Sequence, residues 1–289
     1  MERLCMPLFT NDLYERRVGL WPAGFDADGE LFCNQRYGDW PVSVSGLRDD
    51  PWRDPDWMLL SSGKTASASS FDPGHEPEKG IEENVQTWWR AASASRSEWL
   101  QVDLGRVFDV RAVQINFADD DLEIPLPDPA APQRTQWRLD ASADGSDWFT
   151  VCDKSGAPTD LSHDLAVRED GFRARYLRLT EVSVPFGKKP CVSGLRVFGL
   201  GDGEPPKAPS FEAVRAGDLD LDVTVRPQAD AVGYNILWGS SAEKLYHSRM
   251  VFSPGAVRIG ALVRGRKYAV RVDAFNESGI TAGPVLTGI

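Results

Sequence analysis

The sequence predicts an all-β protein made of consecutive β-sandwiches. Short runs of alternating or continuous apolar residues recur along most of the 289 residues, whereas the periodicity of amphipathic helices is nearly absent. Clusters of Gly, Pro, Asp and Ser separate these runs. Many short strands bounded by turn-forming residues are typical of sandwiches rather than of parallel α/β folds.

Two stretches rich in Pro and charge predict the boundaries between segments. The clearer one is GDGEPPKAPS, residues 201–210, which lacks large apolar residues and has the composition of a linker. The weaker one is RDDPWRDPDW, residues 48–57. The predicted organisation is an N-terminal segment over 1–57, a sandwich over 58–201 and a smaller sandwich over 202–289.

Composition narrows the classes of function. The formal net charge of -11 argues against a nucleic-acid partner, because phosphates require a basic surface. No apolar run approaches the roughly 20 residues of a membrane span. MERLCMPLFTND lacks the apolar stretch of a secretory signal, so we expect a chain that stays inside the cell or is part of something longer. The sequence does not identify the cellular compartment.

The four cysteines are scattered, which predicts buried free thiols rather than a disulfide scaffold or a zinc site. They are Cys5, Cys33, Cys152 and Cys191. A Cys152–Cys191 bridge is the one pairing within a single predicted domain, and the spacing does not decide it. The three histidines are far apart in the sequence, which argues against a histidine metal centre.

The C-terminal segment carries the pattern of a tyrosine corner. In ALVRGRKYAVRVDAF, Leu262 precedes Tyr268 by six residues, with Gly265 in the turn between them. Alternation predicts one apolar face, made of Tyr268, Val270, Val272 and Ala274. Together with the central strand GYNILWG, this segment resembles a fibronectin type III domain, which implies a spacer or interaction module. We expect Trp238 to lie in its core.

The middle segment carries an ordered series of motifs. GKTASASS is followed by IEENVQTWWRA, SEWLQVDLG, LDASADGSDWFTV, ARYLRLTEV and VSGLRVFG. In that order they resemble a discoidin (F5/8 type C) domain, which implies an eight-stranded jelly-roll. Alternation in EWLQVDLG predicts an apolar face of Leu100, Val102 and Leu104, with the strand ending at Gly105. Asp144-Gly145 predicts a turn, with Trp148 as a core residue of the next strand.

The resemblance implies carbohydrate binding, because discoidin domains of bacterial enzymes are commonly carbohydrate-binding modules. It places the buried Trp of the family at Trp89, so that Trp88 faces a loop or solvent. Sugar binding needs an aromatic face and a few planar polar groups. The candidates are His75, Trp88, Arg90, the insertion from Asp119 to Arg134, Phe186, Lys188 and Lys189. The alternative is that these loops only cover neighbouring domains, which suits the acidic, Pro-rich insertion.

The resemblance also implies a structural calcium ion. The family's ion-binding loop corresponds to Glu82, Asn84 and Thr87, whose oxygens are hard ligands. Two features depart from the family pattern: Glu82 replaces a shorter Asp, and a late acidic ligand is missing near Gly194. Calcium is therefore an expectation on which the sequence does not decide.

The N-terminal segment predicts a β-hairpin in which GLWPAGFD and ELFCNQRYGDW pair across the turn residues Asp28-Gly29. Followed by the two sandwiches, it resembles the last propeller strands of a family 43 glycoside hydrolase. The catalytic carboxylates of that family would belong to earlier blades, so we predict no catalytic residue here. Because the segment is rich in large apolar residues, we expect it to fold back on the middle domain or to be buried in a partner or a second copy.

Three functions follow from these expectations. The first is a non-catalytic accessory region of a family 43-type glycoside hydrolase that binds or supports action on plant polysaccharide. The second is part of such an enzyme, of the xylosidase or arabinofuranosidase type, with an active site completed by a partner chain that carries the missing propeller blades. The third is a protein-interaction module without affinity for sugars. The resemblance also implies an exported parent family.

Overall fold

The structure of the chain is a computed structural model, which describes residues 2–9, 16–41, 50–118, 120, 134–156 and 163–289. It is almost entirely β, with antiparallel sheets, which confirms the predicted fold class. The side chain of Cys5 and most of the insertion after Asp119 lie outside the described residues. Among the described residues, no helical segment has the length and apolarity that crossing a membrane requires.

The strands are numbered along the chain, and two short 3-10 turns, Pro77–Gly80 and Pro185–Gly187, interrupt them. The strands are β1 (Glu2–Phe9), β2 (Arg16–Phe25), β3 (Leu31–Cys33), β4 (Met58–Leu59), β5 (Thr65–Ala68), β6 (Trp89–Arg90), β7 (Leu100–Phe117), β8 (Gln136–Ser142), β9 (Trp148–Asp153), β10 (His163–Ser183), β11 (Cys191–Leu200), β12 (Phe211–Arg215), β13 (Leu221–Val225), β14 (Gly233–Gly239), β15 (His247–Val251), β16 (Gly255–Ile259), β17 (Ala269–Asn276) and β18 (Gly279–Leu286).

The chain forms two compact units, and most of the N-terminal segment belongs with the C-terminal one. The first unit comprises Met1–Leu8, Arg17–Met58 and Asp202–Ile289, and the second comprises Phe9–Arg16 and Leu59–Gly201. We call them the terminal unit and the middle unit. In chain order, most of the middle unit is therefore inserted between the two parts of the terminal unit.

The middle unit is a sandwich built around two long strands, β7 and β10, which pair antiparallel along most of their length. The strand order is β4-β11-β7-β10-β8-β9, with β5 paired to β7 and β6 paired to β11. Its core contains Trp89 and Trp137, which are at most 1% exposed. The predicted apolar face of β7 is confirmed, since Leu100, Val102 and Leu104 are equally buried.

Two predictions for the middle unit are wrong. Gly105 does not end its strand, because β7 continues to Phe117. Gly105 has a positive φ of +84° within this strand. Trp148 is half-buried rather than part of the core. Its ring packs on the guanidinium of Arg178, and its indole N–H donates to the carbonyl of Gly145. A strand-initial Trp can be covered by a neighbouring charged side chain as well as by a core.

In the terminal unit, the C-terminal residues form two antiparallel sheets, with the orders β12-β13-β16 and β15-β14-β17-β18. The predicted tyrosine corner is present. The Tyr268 ring is buried, and its hydroxyl accepts a hydrogen bond from the backbone N–H of Val263 at 3.0 Å. Val270, Val272 and Ala274 join Tyr268 in the core, as alternation predicts, and Trp238 packs against it.

The predicted hairpin is also present. Strand β2 pairs with β3 in the register Ala23–Cys33, Gly24–Phe32 and Phe25–Leu31. The turn residue Gly29 has a φ of +79°, which is why a Gly is favoured there. A carboxylate oxygen of Asp26 accepts hydrogen bonds from the backbone N–H groups of Asp28 and Glu30 and so holds the turn.

Aromatic residues of the N-terminal segment from Tyr37 to Trp52 pack on the C-terminal part of the chain, whereas the prediction placed them on the middle domain, in a partner or in a second copy. The rings of Tyr37 and Trp40 contact Phe275 edge-on, with centroids 5.7 and 5.6 Å away. A second contact stacks Trp52 on Tyr246 at 5.5 Å. Sequence patterns identified these rings as needing cover but contain no information on which domain supplies it.

The thiols of Cys33, Cys152 and Cys191 are free. The Cys152–Cys191 bridge considered from the sequence is therefore not formed. Burial raises the pKa of the Cys33 and Cys152 thiols. A raised pKa keeps a thiol protonated at neutral pH, so these two cysteines behave as packing residues rather than as nucleophiles.

We expect Trp40→Ala to lower the free energy of unfolding of the terminal unit by about 3–5 kcal/mol, because it deletes a buried ring. Trp40 is 3% exposed. Phe25→Ala is the matched control in the same segment, since Phe25 is 65% exposed. Hydrogen exchange of the β17 amides during denaturant unfolding measures both variants. Equal protection of β17 in the two variants would contradict the assignment of this segment to the terminal unit.

Candidate functional site

Six polar and aromatic side chains come together where four loops of the middle unit meet. Asp72 and His75 follow β5, Trp88 and Arg90 lie at β6, Asp120 follows β7, and Lys189 precedes β11. We call these six residues the Arg90 cluster. The loops meet because β6 pairs with β11, and β11 pairs with β7.

Arg90 is the central member of this cluster. Its Nε donates to Asp72 at 2.7 Å, and its Nη1 donates to Asp120. Lys189 binds Asp72 from the other side, with Nζ 2.9 Å from a carboxylate oxygen. Lys189, followed by Arg90, holds the pKa of Asp72 below its usual range. Burial by itself would lower the pKa of Arg90, but the carboxylates of Asp120 and Asp72 raise it by more. Arg90 therefore stays positively charged at neutral pH.

Trp88 presents a half-buried ring beside these charges. Its indole N–H donates to Asp120 at 3.1 Å, which fixes the orientation of the ring. The imidazole of His75 lies 5.1 Å from the indole, centroid to centroid, and its Nδ1 is 3.1 Å from the carbonyl oxygen of Trp88. His75 Nε2 lies 4.0 Å from Asp120. The site therefore combines an immobilised aromatic ring with both donors and acceptors.

The neighbouring Trp89 is fully buried, as predicted. Its indole N–H donates to the carbonyl of Ser70 at 2.9 Å. Because consecutive residues of a strand point to opposite faces, the burial of Trp89 turns Trp88 toward the loops. One tryptophan thus anchors the core, and the other belongs to the Arg90 cluster.

A buried carboxylate is hydrogen-bonded to two of the loops that carry the cluster. Glu98 is 7% exposed and accepts hydrogen bonds from the hydroxyls of Ser69, Ser70 and Ser93. Burial raises the pKa of Glu98, but the hydrogen bonds from the three serine hydroxyls lower it by more. The net result is a pKa below the usual range of a glutamate. The Ser70 hydroxyl also accepts from the backbone N–H of Ala92. Glu98 therefore ties the loop before Asp72 to the loop after Arg90.

The two remaining predicted binding residues lie on the loop that carries Lys189. Phe186 belongs to the turn Pro185–Gly187, has a positive φ of 60° and is 38% exposed. Lys188 is half-buried and precedes Lys189 directly. The described contacts connect this loop to the Arg90 cluster through the Lys189–Asp72 ion pair. A backbone in the left-handed region is typical of a residue whose position is fixed by its surroundings.

Sequence reasoning missed Asp72 as a site residue and placed Asp120 only within a long insertion. A signal was available in retrospect. Arg90 was expected on a loop as a binding residue, and a guanidinium that is partly buried requires carboxylate partners. Those partners lie 18 and 30 residues away in sequence, so no local pattern identifies them.

The predicted calcium loop brings its oxygens together. The Thr87 hydroxyl contacts a carboxylate oxygen of Glu82 and lies 3.0 Å from the carbonyl oxygen of Asn84. The side-chain oxygen of Asn84 accepts from the backbone N–H of Gln86. Among the described residues, no three His, Cys, Asp or Glu side chains group as metal ligands. The all-oxygen donors nevertheless fit the preference of calcium, with Glu82 as the charged ligand.

The neighbouring Glu83 has a different role. Its carboxylate binds the buried guanidinium of Arg196, with nitrogen–oxygen distances of 3.0 and 2.8 Å. Arg196 Nη1 donates to Gln114 at 2.8 Å. Glu83 thus anchors the calcium-loop candidate to β11 and β7, which leaves Glu82 to face outward.

The acidic residues of the hairpin share one cationic partner. Asp26, Asp28 and Glu30 all bind Lys244, at 2.7, 2.7 and 3.1 Å. The ion pair with Lys244 holds the pKa of Asp26 well below its usual range. These three ion pairs link the hairpin to the C-terminal part of the terminal unit.

Solved structures that are similar to part of this chain include carbohydrate-binding modules. Chitosan-binding module 1 of a chitosanase/glucanase from Paenibacillus sp. IK-5 is 21% identical and covers 49% of this chain and 99% of its own, with a TM-score of 0.41. CpGH89CBM32-4, produced by Clostridium perfringens, was solved with GlcNAc-α-1,4-galactose; it is 11% identical over 51% of this chain and 97% of its own, with a TM-score of 0.41. A search of curated proteins found no match.

The middle unit is a discoidin-type β-sandwich with a polar and aromatic site on its loops. A family model confirms this class, since the F5/8 type C domain matches residues 65–188. The chain thus contains an F5/8 type C domain, and the matched range includes the whole Arg90 cluster except Lys189.

We expect Glu98→Gln to lower the free energy of unfolding of the middle unit by about 1–3 kcal/mol at pH 7, because it weakens charge-assisted hydrogen bonds at a buried site. The pKa of Glu98 is lower in the folded state, so its contribution is complete above the unfolded pKa of about 4.3 and is lost as the pH falls through the folded pKa. The stability gap between wild type and Glu98→Gln should therefore narrow on acidification. Urea unfolding at several pH values measures this gap, and a gap that stays constant down to strong acid would contradict it.

Proposed function

We propose that this chain is a non-catalytic accessory region of a family 43-type glycoside hydrolase and that its middle unit binds plant polysaccharide. The observation that carries the proposal is the half-buried Trp88 ring held next to Arg90 and Asp120 within an F5/8 type C domain. A pyranose offers a C–H face to an aromatic ring and hydroxyls to planar polar groups. Both kinds of partner are present in the Arg90 cluster.

The charges of the cluster favour a neutral sugar. Arg90 and Lys189 contribute two positive charges, which Asp72 and Asp120 balance within ion-pair distance. Adjacent donors and acceptors of this kind suit the paired hydroxyls of a sugar, each of which both donates and accepts. Trp88 supplies the stacking surface, and the exposed Phe186 is the candidate second ring.

The terminal unit supports the rest of the proposal. Its C-terminal part has seven strands in two sheets and a tyrosine corner, features that a fibronectin type III spacer would have. The relation to family 43 rests on the order of hairpin, F5/8 type C domain and C-terminal sandwich along the chain. In this arrangement the chain positions sugar substrate for a catalytic domain that it does not itself contain.

The second candidate function is that of an interaction partner. The chain would bind a chain that carries propeller blades and completes the active site, or it would bind a second copy of itself. The observation that favours an interaction surface is the cross-strand pair Phe25 and Leu31 on the hairpin, which are 65% and 62% exposed. Two large apolar side chains side by side on a surface are typical of a docking contact. A pure protein-interaction module would show this contact and no affinity for sugars.

Calorimetry with xylan, arabinan and galactan oligosaccharides tests the first candidate. Trp88→Ala should weaken binding several-fold, because aromatic stacking contributes about 1 kcal/mol, and should leave the melting temperature nearly unchanged. Trp89→Ala is the matched control for folding and should lower the free energy of unfolding by about 3–5 kcal/mol.

Binding that survives Trp88→Ala undiminished, or unfolding caused by this variant, would contradict the binding-site assignment. A wild-type chain that binds none of the oligosaccharides but sediments as a dimer would favour the interaction function. The sedimentation run uses the same samples, so the two candidates are separated within one experiment.

We also propose that Glu82, Asn84 and Thr87 hold a structural calcium ion, which would stabilise the turn in front of β6. Binding to the folded state alone stabilises a protein by about 2.7 kcal/mol when the ligand is at 100 times its Kd. Millimolar calcium should therefore raise the melting temperature relative to excess chelator, and Glu82→Gln should remove most of this increase.

Glu83→Gln is the matched control for the calcium proposal, because it removes the adjacent carboxylate that binds Arg196. We expect this variant to melt at a lower temperature and to keep the calcium-dependent increase. The same melting temperature for the wild type in calcium and in chelator would contradict the calcium proposal.

A further inference from the structure

A second group of aromatic and charged side chains lies on one sheet face of the middle unit, built from different residues than the Arg90 cluster. Arg178 of β10 lies between two tryptophans that come from different strands. Its guanidinium carbon is 4.7 Å from the Trp99 ring centroid and 4.1 Å from that of Trp148. Tyr176, two residues earlier on β10, lies 6.4 Å from the Trp148 ring. We call these four residues with Gln101 the Arg178 face.

The arrangement follows from strand register. Arg178 pairs with Gln101 of β7 on one side and with Asp140 of β8 on the other. Side chains at directly paired positions share a face of the sheet, so Gln101, Arg178 and Asp140 form one row. Trp99 leads into β7 and Trp148 begins β9. The order of the strands thus places one ring on each side of Arg178.

Arg178 keeps a donor available. Its Nε and Nη2 donate to the side-chain oxygen of Gln101 at 2.9 and 2.7 Å. No described residue accepts a hydrogen bond from Nη1, and Nη1 is not one of the buried polar atoms without a partner, so it reaches solvent. A guanidinium flanked by rings and held at one edge presents its other edge in a fixed orientation.

The positive charge of Arg178 lacks a carboxylate partner of its own. The nearby Asp103 is bound by Arg175 at 2.7 and 2.8 Å. Asp140 of β8, which is paired with Arg178 of β10, is bound by Arg138. It also accepts hydrogen bonds from the hydroxyls of Thr150 and Thr180. Asp103 and Asp140 are thus each bound by another arginine.

One more acidic residue lies at the end of this surface. The carboxylate of Asp144 accepts hydrogen bonds from the backbone N–H groups of Ser146 and Asp147 and is thus held by its own turn. Burial lowers the pKa of Arg178, and the carboxylate of Asp140 raises it by less. The edge of the Arg178 guanidinium that reaches solvent can donate hydrogen bonds to an added anion.

We propose that the Arg178 face binds an anionic substituent of a sugar ring, with Arg178 Nη1 donating to the anion and the partly exposed rings of Trp99 and Trp148 flanking the pyranose. The chemistry that fits is a uronate carboxylate or a sulfate ester. This site goes beyond the proposed binding of neutral sugar at the Arg90 cluster and does not depend on it. The chain would then contact polysaccharide through two surfaces of different charge preference.

Titration calorimetry on the full chain tests the proposal with three probes: trigalacturonate, a sulfated galacto-oligosaccharide and neutral galactotriose. We expect one anionic probe to bind and the binding to weaken with added salt, because ion pairing at a surface is screened. Arg178→Gln should weaken that binding about tenfold, through the loss of a charge-assisted hydrogen bond. Which anionic probe binds distinguishes carboxylate from sulfate.

Arg173→Gln is the matched control, since Arg173 is an exposed arginine of the same strand and its removal changes the net charge equally. Arg178→Lys retains the charge without the planar fork and should bind with intermediate affinity. Trp88→Ala should leave anionic binding unchanged, which separates this site from the Arg90 cluster. Melting temperatures show whether each variant is folded.

Three outcomes would overturn the proposal. One is that neither anionic probe binds more tightly than galactotriose. The second is that Arg173→Gln and Arg178→Gln reduce binding equally, which would indicate a general charge effect. The third is that anionic binding is lost in Trp88→Ala, which would place the anion at the Arg90 cluster.

Discussion

The loops of the middle unit depend on one buried carboxylate. Glu98 lies two residues before β7 and accepts hydrogen bonds from three serine hydroxyls on two loops that are separate in sequence. A buried charge is tolerated only where hydrogen bonds replace its hydration, and three hydroxyls provide that replacement. The cost of leaving Glu98 unbonded thus keeps both loops in place, and with them Asp72 and Arg90.

The Arg90 cluster shows how such support yields a group of side chains in fixed relative positions. Asp120 accepts from both Trp88 and Arg90, so that one carboxylate fixes the ring and the guanidinium relative to each other. Lys189 closes the network from β11. Side chains already held in their bound geometry lose little conformational entropy when a ligand arrives, so a modest stacking energy is retained as affinity.

The sequence predicted what depends on neighbours in the chain. Tyr268 with its corner and the turn at Gly29 follow from local spacing, and the burial of Trp89 follows from a resemblance combined with strand alternation. The hydrogen-bond partners of Arg90 could not be predicted, because loop closure in three dimensions brings them together from distant positions. Trp148 was assigned to the core because a large apolar ring was assumed to need apolar cover, whereas Arg178 covers it.

The insertion of the middle unit into the terminal unit has a consequence for how such a protein can change by gene recombination. Residues 59–201, which make up most of the middle unit, are encoded as one continuous segment and can be exchanged between genes as such. The terminal unit cannot, because Trp40 and Phe275, which pack on each other, are encoded far apart. Exchange of this segment is therefore compatible with an unchanged terminal unit, whereas replacement of the terminal unit requires two coordinated events.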